Sequence, residues 1–171
     1  MHMREIDKKE VEEFKNQYPL ISLLIPTFNT INFIKKTVGC SLAQSYPNLE
    51  IVIVDDGSTD GTQEYLQSLL DEYDGPKQLC IALGEHRGVG STRNELLMRS
   101  HGEYIFWLDS DDIITPDTIW NCYNLLIKEN CDLVRIDMTQ SYAGVVYMDT
   151  QAYMRLLLMD KLKSYITATL F

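Results

Sequence analysis

The sequence predicts an α/β domain: a mostly parallel sheet with helices on both faces. Three observations lead there. Short apolar runs, "LISLLIP" (20–26), "LEIVIVD" (49–55), "QLCIAL" (78–83) and "GEYIFWLD" (102–109), have the length and residue content of strands buried on both sides. Segments with apolar residues at helical spacing lie between them. That alternation calls for crossover connections, which set neighbouring strands parallel.

The elements follow in order. Residues 5–17 read as a charged helix with Ile6, Val11, Phe14 and Tyr18 along one side. The first strand stops at Pro26. Ile31, Ile34, Val38 and Leu42 recur at helical spacing, and "YPN" (46–48) turns the chain into the second strand. Asp60 is an N-cap candidate for a helix carrying Leu66, Leu69, Leu70 and Tyr73, broken by "DGP" at 74–76. Gly88 and Gly90 open a helix that runs to about Arg99. Thr115 can cap the next, with Pro116 in its first position and Ile119, Cys122, Tyr123, Leu126 and Ile127 as its apolar face. "CDLVRID" (131–137) reads as a fifth strand, "GVVYMD" (144–149) as a further strand and 149–160 as a helix. The expected division is an N-terminal helix and leading residues over 1–19, a core over 20–137, and the start of a further region over 138–171.

At 171 residues the chain can bury one core. Its net charge of −10, from 25 acidic and 15 basic residues, argues against nucleic acid as a partner. Cys40, Cys80, Cys122 and Cys131 form no CxxC pair, so free thiols are expected and a zinc site is not. With no apolar run long enough to span a membrane and no apolar signal core at the start, the expected location is the cytoplasm.

In a parallel sheet, ligands bind outside the carboxyl ends of the strands. Three predicted strands end there in polar groups: Pro26-Thr27-Phe28-Asn29, Asp55-Asp56-Gly57-Ser58 and Asp109-Ser110-Asp111-Asp112. Each acidic stretch alone could be a turn or a solvated loop. Together they bring five carboxylates to one edge, where repulsion must be relieved by a cation or by hydrogen-bond donors. Hard oxygen ligands suit Mg2+ or Mn2+. "GEHRGVGSTRNELL" (84–97) offers glycines for close approach and a helix N-terminus that favours an anion. It is neither a Walker motif nor a GxGxxG fingerprint. Arg93 reads equally as a phosphate contact or as the partner of a carboxylate. His86 reads as a surface histidine and His101 as part of a turn. Tyr104, Phe106, Trp107, Trp120 and Tyr123 read as core.

"ISLLIPTFNT" (21–30), "LEIVIVDDGSTDGT" (49–62), "GVGSTRNELL" (88–97) and "GEYIFWLDSDD" (102–112) occur in one order over residues 20–136. In this combination the chain resembles the inverting glycosyltransferases of family 2, which have the GT-A fold. The resemblance implies transfer of a sugar from a nucleotide-diphosphate sugar, usually of UDP, to a carbohydrate or lipid-linked acceptor hydroxyl. It implies that Pro26, Thr27, Phe28, Asn29, Asp55 and Asp56 hold the nucleotide, with Asp56 accepting from the base imide. Arg93 would lie near the diphosphate and ribose. Asp109 and Asp111 would form the DxD pair, Asp109 toward the ribose or sugar and Asp111 on the metal, with Asp112 a further ligand.

Thr92 and Glu95 depart from the family's usual residues and read as tolerated surface changes. The family's general base lies on a later segment. Asp137, Asp149 and Asp160 carry no motif that marks them as that base, so the chain is expected to contain the donor half without it. The alternative is a nucleotide-sugar-binding module without turnover. A nucleotidyltransferase would need a basic Gly-rich loop where "PTFNT" stands. Peripheral membrane association and homo-oligomerisation complete the expected partners.

Overall fold

Four parallel strands in the order β3-β2-β1-β4 form the central sheet: β1 (Ile21–Thr27), β2 (Leu49–Asp55), β3 (Gln78–Leu83) and β4 (Tyr104–Trp107). They coincide with the four apolar runs. The computed structural model describes residues 8–134, 136–142 and 145–152. Helices α1 (Lys8–Lys15), α2 (Ile31–Leu42), α3 (Thr62–Glu72), α4 (Val89–Arg99) and α5 (Thr118–Glu129) separate the strands.

Alternation along the strands sends side chains to two cores. Ile21, Leu23 and Ile25 face Ile34 and Val38 of α2, Leu66 of α3, and Ile119, Cys122 and Leu126 of α5. Leu24, Val52, Val54 and Ile105 face Leu96 and Leu97 of α4. Helices therefore cover both faces, the GT-A-type α/β arrangement expected. The four cysteines are free thiols, and burial raises that of Cys122 to about 11.

Three expectations are corrected. The helix after Pro116 starts at Thr118 with Asp117 as its N-cap residue, while Thr115 closes the preceding turn by accepting from the Thr118 N–H at 3.1 Å. Asp60 is not the N-cap of α3, because Gly61 holds that position with φ 98°. Asp60 instead accepts from the Thr62 N–H at 3.1 Å and from the Ile31 N–H at 3.0 Å, so one carboxylate serves the starts of two helices. The fifth strand is not "CDLVRID" and does not extend the parallel sheet. β5 (Ile136–Tyr142) pairs antiparallel with β6 (Val145–Ala152) in a separate two-stranded sheet. Of the helix expected over 149–160, residues 149–152 lie in β6 and the rest lies outside the described residues. Residues 5–7 of the first expected helix also lie outside them.

The chain runs outward from β1 to β2 to β3 and then returns across the sheet to β4 on the other side of β1. Its direction of travel reverses at β1, which is where an open α/β sheet forms a crevice at its carboxyl edge.

Candidate functional site

A pocket of about 430 Å³ opens at that edge. It is lined by Pro26, Thr27 and Phe28 from the end of β1, Asp56 after β2, and Asp109, Ser110 and Asp111 after β4. His86, Val89, Thr92 and Arg93 enter from the start of α4 and the loop before it. Of the expected nucleotide and metal residues, the fold brings together Pro26, Thr27, Phe28, Asp56, Arg93, Asp109 and Asp111. Asn29, Asp55 and Asp112 do not line the pocket.

Asp55 is fully buried, and its carboxylate is occupied by its own turn. Oδ1 accepts from the N–H groups of Gly57 at 3.1 Å and Ser58 at 2.9 Å, and from Gln63 Nε2 at 2.6 Å. Oδ2 accepts from the Ser58 hydroxyl. Asn29, held at φ 53°, donates its N–H to Ser58 Oγ at 2.8 Å and accepts from the Thr59 N–H at 2.8 Å. These two residues lock the β1 and β2 loops to each other. Gly57 is required at this turn. Its φ is 80°, and a Cβ there would stand 2.5 Å from the backbone nitrogen of His86.

Asp56 points the other way, toward α4. Oδ1 accepts from the Arg87 N–H at 2.8 Å, and Oδ2 accepts from the Gly88 N–H at 2.9 Å and meets His86 Nδ1 at 2.9 Å. Burial alone would push this carboxyl up. The Arg87 and Gly88 N–H groups, the Thr92 hydroxyl and His86 outweigh it and hold the group below its ordinary range. Hydrogen bonds therefore relieve the repulsion expected at the β2 end, and no cation is needed there.

The loop after β4 is built differently. The Ser110 carbonyl accepts from the buried Thr37 hydroxyl of α2 at 2.8 Å, and the Asp112 N–H donates to the Asp109 carbonyl at 3.0 Å. The backbone is anchored while the carboxylates stay open. Asp109 faces Arg93 Nη2 at 3.4 Å, with both side chains about half exposed, and the Arg93 guanidinium lies over the Trp107 ring at 5.9 Å. Arg93 thus partners a carboxylate, one of its two expected roles, and lines the pocket as it does so. Burial, then Asp111 and Asp109, push the Asp112 carboxyl up to about 6.

Two side chains were undervalued from sequence. His86 is no bystander at the surface, because it stacks on Phe28 with ring centroids 4.4 Å apart and planes 24° apart, against Asp56. Thr92 is buried beneath the pocket, its hydroxyl donating to the Gly88 carbonyl at 3.1 Å. Glu95 lies near the surface but is engaged, accepting from Arg87 and Arg99. His101 sits at the far end of the sheet, where its N–H donates to the buried Glu50 at 2.5 Å.

The model of the glycosyl transferase family 2 domain matches residues 22–160 and so takes in every strand end that lines the pocket. This chain belongs to glycosyl transferase family 2. A glycosyltransferase of Rickettsia typhi is 36% identical over 81% of this chain and 41% of its own length. A putative teichuronic acid biosynthesis glycosyltransferase of Bacillus subtilis, TuaG, is 36% identical over 68% of this chain and 45% of its own. The family 2 chain thus spans less than half the length of these curated relatives. Staphylococcus aureus TarS 1-349, solved in complex with UDP, superposes with a TM-score of 0.71 at 22% identity, covering 86% of this chain and 49% of that TarS 1-349 chain. The mannosyltransferase PcManGT of Pyrobaculum calidifontis, solved with GDP-Man and Mn2+, gives a TM-score of 0.59 at 28% identity over 63% of this chain and 32% of its own.

The acidic loop of this family 2 chain carries carboxylate oxygens of the type that divalent cations take. Asp109 and Asp111 line the pocket with open carboxylates, and their charge is what raises Asp112 after burial. Among the described residues, no three His, Cys, Asp or Glu side chains are grouped so that they could hold a metal ion by themselves. An ion here would take most of its ligands from phosphate and water, as Mg2+ does. No helix among the described residues is long and apolar enough to cross a membrane.

Proposed function

We propose that this chain is the donor-binding half of an inverting glycosyltransferase that uses a UDP-sugar. One observation carries the reading: residues from all four motifs line a single pocket at the carboxyl edge of a parallel sheet. Pro26, Thr27 and Phe28, with Asp56 behind them, form the nucleobase end. Arg93 lies along the diphosphate, a planar cation suited to phosphate oxygens. Asp109 faces the ribose or sugar, and Asp111 with Asp112 holds Mg2+ or Mn2+. When bound, that ion neutralises the charge gathering on the departing nucleoside diphosphate. Asn29 and Asp55 contribute by fixing the loops that shape the pocket.

A second reading, donor binding without turnover, is favoured by the count of pocket carboxylates. Among the described residues these are Asp56, Asp109 and Asp111, each with a donor-side task. None is left to take the proton of an acceptor hydroxyl. The acceptor, carbohydrate or lipid-linked, and the base then belong to the region beyond the parallel sheet.

The test is the melting-temperature shift with UDP, GDP and dTDP, each with and without Mn2+, in the wild type and in Asp111→Asn. A nucleotide at about 100 times its dissociation constant stabilises by about 2.7 kcal/mol. The expected result is a metal-dependent shift with UDP that Asp111→Asn abolishes. No shift with any nucleotide would refute the donor site. Sugar transfer from the matching donor then separates the two readings.

A further inference from the structure

The stretch from Ser110 to Ile119 is tied to α2 and its end at three places. The Thr37 hydroxyl donates to the Ser110 carbonyl at 2.8 Å, and Cys40 Sγ accepts from the Ile114 N–H at 3.5 Å. Gln44, two residues past the end of α2, donates to the Thr115 carbonyl at 2.7 Å and accepts from the Ile119 N–H at 3.2 Å. Spacings of three and four place these residues along one side of the helix. Asp111 and Asp112 lie between the first tie and the second.

Of the three ties, the one from Thr37 falls within the pocket-lining segment Asp109–Asp111. Among the described residues, two side chains from outside the loop bond residues 109–112: Thr37, and Arg93 through the exposed Asp109. The Thr37 bond is buried at both ends. A Ser110 carbonyl deprived of it is left without a partner or must turn to find one. That carbonyl belongs to the planar peptide that leads into Asp111, so turning it redirects Asp111 first. Thr37 is itself fixed. It is fully buried, and its own carbonyl accepts from the Ser41 hydroxyl at 2.7 Å.

We propose that Thr37 is a positioning residue for the divalent ion: by holding the Ser110 carbonyl, its hydroxyl aims the Asp111 carboxylate into the pocket. Arg93 does not duplicate this role, because it reaches Asp109 through a half-exposed pair at 3.4 Å. The inference rests on the donor-site reading above and adds a residue that does not line the pocket.

The experiment follows Mn2+ retention by electron paramagnetic resonance, with UDP present, in the wild type, Thr37→Val, Thr37→Ser and Gln44→Met. Valine keeps the shape and removes the hydroxyl, and serine keeps the hydroxyl. Thr37→Val should retain Mn2+ about tenfold more weakly than the wild type, the lower end of what losing a partner behind a metal ligand costs. Thr37→Ser should stay within about twofold. Gln44→Met cuts the tie farther from the carboxylates, and should lower the melting temperature with Mn2+ retention unchanged. Three results overturn the proposal: Thr37→Val that retains Mn2+ as the wild type does, Thr37→Ser that loses as much as valine, or Gln44→Met that weakens Mn2+ equally. The last would make the whole set of ties a matter of stability alone. Should Thr37→Val fail to fold, Thr37→Ala removes the same hydroxyl and is read in the same way. A wild type that retains no Mn2+ with UDP brings down the metal reading of the donor site, and this inference with it.

Discussion

The loops after β2 and β4 have nearly the same composition at the same edge of one sheet, yet they solve opposite problems. The Asp55–Ser58 loop turns its first carboxylate inward, where four donors meet it, and uses the second to hold the start of α4. The Asp109–Asp112 loop is anchored through backbone atoms, and the carboxylates of Asp109 and Asp111 stay exposed in the pocket. Acidic residues at a strand end thus do two kinds of work. Counting the donors around each carboxylate tells scaffold from ligand-facing group.

Truncating each loop breaks or sharpens that contrast most strongly. Asp55→Ala strips the partner from two backbone N–H groups, the Ser58 hydroxyl and Gln63 in a buried setting. We expect it to cost about 3–4 kcal/mol in urea-induced unfolding, since each orphaned buried donor costs about 1–3 kcal/mol and relaxation recovers part. Asp111→Ala should change stability by less than about 0.5 kcal/mol. Equal losses at the two sites would erase the distinction.

The second prediction concerns pH. The folded Asp56 carboxyl is held below its ordinary range, so its contribution is fully present above the unfolded value of about 3.9. It is lost as pH falls through the lower folded value. Melting temperatures between about pH 6 and 2.5 should fall more steeply toward acid in the wild type than in Asp56→Asn, within the range below about 4. Identical slopes would mean that the donors around Asp56 do not favour its ionised form.

The smallest effect is expected where both partners are half exposed. Arg93→Ala removes the ion pair with Asp109 and should cost less than about 0.5 kcal/mol of stability. It should nonetheless weaken UDP binding in the presence of Mn2+. A stability loss like that of Asp55→Ala would show that the pair is structural.

The sheet was legible in the sequence because four apolar runs stop where polar residues begin, and burial on both faces leaves few other readings. The segment 131–137 misled because apolar content reports burial but not the strand's partner, and β5 pairs within a hairpin. Asp55 and Asp56 could not be separated by residue type. They diverge because the strand ends between them, which aims one carboxylate into the turn and the other at α4. His86 and Thr92 were undervalued because their signal is spatial. The Phe28 ring and the Asp56 carboxylate that give His86 its meaning arrive from two other strand ends, and Thr92 is buried by the packing of α4.

The most direct test of the account is a Mn2+ titration followed by electron paramagnetic resonance, with and without UDP. If the open loop is half of a site that nucleotide phosphates complete, the protein alone should retain little Mn2+. With UDP it should retain one ion per chain, and Asp111→Asn should release it. Tight Mn2+ binding without UDP, or full retention in Asp111→Asn, would contradict the division of labour between the two loops.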